Sequence, residues 1–125
     1  GFGESIGMAF QIIDDVLDVT GEVASLGKPA GQDLRQGVLT LPALLHLESH
    51  PEDPGLQALI ERQPLPSPEL ERLVAAIRAG GAVAESVEVA RGFIRRGLEA
   101  LGRLPNGTER IALEEIAWSV VERGK

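Results

Sequence analysis

The apolar residues of this chain recur at intervals of three and four. Between residues 82 and 102 the stripe is Val83, Val87, Ala90, Ile94, Leu98 and Leu101, and between residues 3 and 20 it is Ile6, Phe10, Ile13 and Leu17. That spacing marks one buried helix face, because side chains three and four apart lie on the same side of a helix. No stretch alternates apolar and polar residues as a half-buried strand would. Aromatic residues are only 3% of the 125 positions, so a core must be built from Leu, Ile, Val and Ala. That palette suits packed helices better than a β-sandwich, and the expected fold is all-α.

Pro and Gly divide the pattern into elements. After the first helix, TGEVASLGKPAGQDLRQG (residues 20 to 37) reads as a loop with room for one short helical turn. A loop of that length inside a compact domain is usually functional or mobile. A second helix is expected from about Thr40, its N-cap, to Ser49, with Pro42 in the first turn. Leu41, Leu44, Leu45 and Leu47 make it apolar enough to suggest burial on most sides. HPEDPG and QPLPSP bracket a short helix at about 55 to 62. Ser67 as N-cap and Pro68 at the first position then open a helix that runs to about Ala79 and stops at Gly80-Gly81. The amphipathic segment 82 to 102 follows, with Gly92 and Gly97 each weakening it by up to ~1 kcal/mol relative to Ala. PNG at 105 to 107 is a turn, and Thr108 caps a last helix to about Arg123 with Trp118 in the core. The expectation is about six helices.

The net charge is −7. With no Lys/Arg cluster, the chain lacks the electrostatic footprint of a nucleic-acid binder. It has no cysteine, which excludes disulfides, thiol catalysis and Cys-based zinc sites. No segment reaches the roughly 18 apolar residues that would mark a membrane span, and no signal-peptide pattern is present, so a cytoplasmic protein is expected. The chain opens without Met, straight into a helical pattern, and reads as a piece of something longer.

Within the first helix, Gln11, Asp14, Asp15 and Asp18 stand at i, i+3, i+4 and i+7. They share one face. Asp14 and Asp18 form a like-charge i, i+4 pair, which costs a few tenths of a kcal/mol, roughly, in an isolated helix. Asp is also a poor helix former away from the N-terminus, where the helix dipole would favour it. A local cost without local compensation points to function. A divalent cation would offset it, since Mg²⁺ takes one or two carboxylates together with water and substrate phosphate oxygens. Spacing alone favours the blander reading, the solvated face of an amphipathic helix, because acidic surface faces are common.

The flanking residues narrow the choice. AFQIIDDVLDVTG, followed by LGKPAGQDL and GVLTLP, resembles the second aspartate-rich region of the trans-isoprenyl diphosphate synthases, or polyprenyl synthetases. The motif resemblance extends over residues 1 to about 50; beyond that it rests on helical pattern and on the terminal VVERGK. It implies the C-terminal helices of the isoprenoid synthase fold: an aspartate-rich helix (1–20), an active-site loop (20–37) and a helical packing region (38–125). It implies a prenyltransferase that condenses an allylic diphosphate with isopentenyl diphosphate, by Mg²⁺-assisted ionisation, to a longer (E)-prenyl diphosphate. Mn²⁺ is an acceptable substitute, and a homodimer is the usual assembly.

By the same resemblance Asp14, Asp15 and Asp18 are the metal residues, Asp14 directly and the other two through metal-bound water. Lys28 contacts the diphosphate. Phe10 and Gln11 line the cavity, and Asp14, Gln11 and Lys28 form the implied catalytic set. Asp33 matches a family position and is expected mainly to organise the loop. Arg35, Arg95 and Arg96 are read as surface charges, His46 as a core or surface histidine, and His50 as a helix-end residue. Val38 stands where many short-chain members carry a lysine. The first aspartate-rich motif, which faces the second across the cavity, lies upstream in the family, so this chain is expected to hold one wall of the site and to be inactive alone. Apolar faces left exposed would make it associate. A non-catalytic or regulatory subunit of a heteromeric synthase is the alternative.

Overall fold

The computed structural model describes residues 1–20, 31–102 and 107–122. Among these residues there are seven helices and no strand: α1 (Phe2–Thr20), α2 (Gln32–Arg35), α3 (Leu41–Ser49), α4 (Pro54–Ile60), α5 (Ser67–Ala79), α6 (Ala82–Leu101) and α7 (Thr108–Glu122). The all-α expectation holds. The added element is α2, the short helical turn anticipated inside the loop. Its end is marked by Gly37, whose φ of 78° suits a residue without Cβ just past a helix.

Helix α1 buries Ala9, Ile12, Ile13, Val16 and Val19. This corrects the expected stripe: Ile13 belongs to it, but Phe10 is 45% exposed, and Ile6 and Leu17 are only half-buried. The helix is apolar over much of its circumference, so its period fits two adjacent stripes about equally well. Burial selected the stripe with the small and β-branched side chains. In α6 the expected stripe is the buried one, with Val87, Ala90, Ile94 and Leu101 in the core and Val83 and Leu98 half-buried.

The chain divides into two compact units, with the divisions falling inside α1 and α6. The first comprises Gly1–Asp14 and Val87–Lys125. There Gly97 does more than weaken α6. A Cβ at this position would stand 3.0 Å from Ile6 Cδ1 and 3.4 Å from both Phe2 and Ser5, so its absence lets the start of α1 lie against α6. Helix α7 buries Ala117, Val120 and Val121. Trp118 is 38% exposed, correcting its assignment to the core. Ala117 and Val121 are one turn apart on the inward face, which puts Trp118 about 100° around the helix from it.

The second unit is Asp15–Ser86. Its core gathers Val19, Leu34, Ala43, Leu56, Leu70, Leu73, Val74, Ile77 and Ala82. Helix α3 is not buried on most sides as its leucines suggest: Pro42, Ala43 and His46 face inward, while Leu44 is 46% exposed. His46 is tolerated there because its Nε2 lies 3.3 Å from Asp53 Oδ2 and its ring stacks on His50 with centroids 4.2 Å apart. The other Asp53 oxygen accepts from the Gly55 and Leu56 amides at 3.0 and 3.2 Å, capping α4. One carboxylate thus joins α3 to the start of α4. Helix α5 has Pro66 as its N-cap, one residue before the expected Ser67, and no side chain caps it. Among the described residues, no buried side-chain nitrogen or oxygen lacks a hydrogen-bond partner.

Candidate functional site

The C-terminal end of α1 is held at three consecutive carbonyls. The last four carbonyls of a helix have no partner within it and must find one elsewhere. Leu17 O accepts from the Thr20 hydroxyl at 3.2 Å. Asp18 O accepts from the Gly31 amide at 3.0 Å. Val19 O accepts from Arg78 Nε of α5 at 3.2 Å. Arg78 also places a positive charge at the negative end of the helix dipole. Spacing could not reveal this base, because it lies 59 residues away in sequence.

The side chain of Asp18 makes a second set of bonds. Its Oδ1 accepts from the Gln32 amide at 3.1 Å and its Oδ2 from the Asp33 amide at 3.3 Å. These are the first two residues of α2, whose N-cap is Gly31. Glycine has no side chain to satisfy those amides, so Asp18 performs the capping from another helix. Gly31 can be nothing larger: its φ is 79°, and a Cβ would meet Val74 Cγ2 at 2.5 Å. Asp33 organises the end of α2 and the turn beyond it, its carbonyl accepting from Gln36 at 3.1 Å and Val38 at 2.8 Å.

The five predicted residues on α1 are placed at the following exposures. Phe10, Gln11 and Asp14 are exposed, and Asp15 and Asp18 are half-buried. Their helical positions put Gln11, Asp14, Asp15 and Asp18 on the face away from the buried stripe. Lys28 lies outside the described residues. Arg35, Arg95 and Arg96 are exposed, as expected of surface charges, and Arg96 sits over the Phe93 ring at 4.8 Å. A hollow of about 760 Å³ in the second unit is lined by residues including Leu34, Arg35, Arg62 and Leu65, and by none of the three aspartates.

The three aspartates of α1 offer oxygen donors, which suit a hard divalent cation. Among the described residues, no three His, Cys, Asp or Glu side chains stand close enough to hold a metal ion by themselves. Mg²⁺ commonly takes one or two carboxylates and fills its octahedron with water and phosphate oxygens. Asp14, exposed and near the middle of the polar face, is open to such a ligand set.

Among the described residues every element is a helix, and the class of the fold is the helical fold of the isoprenyl diphosphate synthases. Residues 1–77 match the polyprenyl synthetase family, and the chain belongs to that family. It is 38% identical over 122 residues to solanesyl diphosphate synthase 1, chloroplastic, of Arabidopsis thaliana, covering 98% of this chain and 29% of that protein. It is 36% identical over 124 residues to heptaprenyl diphosphate synthase component 2 of Bacillus subtilis, covering 98% of this chain and 34% of the relative. Among solved structures, heptaprenyl diphosphate synthase from Staphylococcus aureus superposes with a TM-score of 0.87 at 35% identity, over 99% of this chain and 39% of that one. The chain thus spans less than two fifths of each. Among the described residues no helix is long and apolar enough to cross a membrane.

Proposed function

We propose that residues 1–125 form the C-terminal part of a prenyltransferase that condenses an allylic diphosphate with isopentenyl diphosphate to a longer (E)-prenyl diphosphate. In this reading α1 is the aspartate-rich helix, residues 20–37 are the active-site loop and residues 38–125 the helical packing region. The observation that carries it is the three-carboxylate polar face of α1 within a chain whose first 77 residues match the polyprenyl synthetase family. Relatives named for solanesyl and heptaprenyl diphosphate products support the same class of chemistry.

Asp14 is the residue assigned to hold a cation, with Asp15 and Asp18 completing the acidic face. Mg²⁺, when bound, supplies charge neutralisation to the diphosphate leaving group. Lys28 is assigned to the diphosphate as a point charge. Gln11 and Phe10, both exposed, are assigned to the cavity beside the growing chain. A homodimer and a cytoplasmic location are part of this proposal, and residues 1–125 alone are expected to be inactive.

One relative is named as a numbered component, which favours a second reading, a subunit of a heteromeric synthase. The test is Mg²⁺-dependent incorporation of isopentenyl diphosphate into an allylic diphosphate by the intact protein carrying this chain. Turnover by that protein alone supports the first reading. Turnover only after a second polypeptide is added supports the second, and none in either case refutes both.

A further inference from the structure

We propose that Asp18, the third carboxylate of the motif, is a positioning residue. It ties the start of α2 to the aspartate helix and contributes through that tie rather than by carrying a cation. The inference rests on the prenyltransferase reading above and divides the labour among its three aspartates.

Three observations converge on it. Both Asp18 oxygens accept backbone amides, from Gln32 at 3.1 Å and Asp33 at 3.3 Å. The Asp18 carbonyl accepts a third, from Gly31 at 3.0 Å, so one residue receives three consecutive amides of the returning chain. Gly31 fits only as glycine, against Val74, and therefore cannot cap α2 itself. Asp14, by contrast, is exposed. The negative charge on Asp18 also complements the amide end of α2. A carboxylate has about four acceptor positions, so two amides alone do not bar a cation. What separates the two roles is the response to asparagine. Its carbonyl oxygen caps a helix about as well as aspartate does. As a neutral donor it is a poor replacement for a carboxylate on Mg²⁺.

The experiment compares Asp18→Asn, Asp18→Ala, Asp14→Asn and wild type in the intact protein. It measures turnover against Mg²⁺ concentration and amide hydrogen exchange at Gln32 and Asp33. Asp18→Asn is expected to keep turnover within about tenfold of wild type, with an unchanged Mg²⁺ requirement, since one amide bond is retained. Asp18→Ala is expected to speed exchange at both amides about tenfold or more, and to lower turnover by more than Asp18→Asn does. Asp14→Asn is expected to leave exchange unchanged and to raise the Mg²⁺ requirement. Asp18→Asn raising the Mg²⁺ requirement as Asp14→Asn does, or Asp18→Ala leaving both amides protected, would overturn the proposal. A wild-type protein that transfers no prenyl group would refute the underlying reading instead. The exchange comparison would still decide whether Asp18 makes the tie.

Discussion

Arg78 Nε donates to the carbonyl oxygen of Val19 at 3.2 Å, joining α5 to the last turn of α1 across 59 residues of sequence. The aspartate helix ends at a positive charge that its own sequence neighbours do not reveal. Replacing Arg78 with Met keeps much of the apolar stem and removes the donor and the charge. It is expected to destabilise the protein by about 1 kcal/mol, seen as a lower urea midpoint with unchanged slope. Arg78→Lys, which keeps the charge without the guanidinium fork, is expected to recover part of that loss.

Gly31 is expected to be intolerant of any side chain. Its φ of 79° costs a Cβ-bearing residue about 1–2 kcal/mol, and contact with Val74 adds an overpacking cost of about 1–3 kcal/mol. Gly31→Ala combined with Val74→Ala should be less damaging than the sum of the two, by about 1 kcal/mol, because the second change opens the space the first requires. Strict additivity in a denaturation double-mutant cycle would show that the close approach to Val74 is not the cause.

Asp53 separates a capping role from a charge role. Asp53→Asn retains an oxygen for the Gly55 and Leu56 amides and is expected to be nearly neutral. Asp53→Ala releases both amides and the buried His46 ring together, and is expected to cost about 1–2 kcal/mol in thermal or chemical denaturation. Equal losses in the two variants would mean that ion pairing with His46, rather than the cap, holds α3 to α4.

On the proposed function, prenyl transfer by the intact protein is expected to depend on a divalent cation held at the carboxylates of α1. Chelation is expected to abolish the activity of the intact protein reversibly. Mg²⁺ or Mn²⁺ should restore it, as the carboxylate and water donor set suits both.

How far the sequence carried these conclusions differs by residue. The α6 stripe was legible because Val87, Ala90 and Ile94 follow one period, and the helix is polar enough elsewhere to leave a single choice. The α1 stripe was misplaced by one residue at Ala9 and Val16, because that helix offers two apolar faces and periodicity cannot rank them. Trp118 misled for a similar reason: size suggests burial, but helical phase is set by Ala117 and Val121. Asp14, Asp15 and Asp18 were legible as a group from local spacing. The amide bonds of Asp18 were not, because the amides that engage it come from 14 and 15 residues away in sequence, beyond the reach of local pattern. Nor did α1 carry any mark of Arg78.

The most direct measurement is the rate of isopentenyl diphosphate incorporation by the intact protein and by its Asp14→Ala variant at saturating Mg²⁺, with folding of both checked by circular dichroism. If α1 presents Asp14 to the cation that neutralises the leaving diphosphate, the variant should be folded and its turnover lower by about 10²–10³-fold. A folded Asp14→Ala protein with wild-type turnover would contradict that assignment.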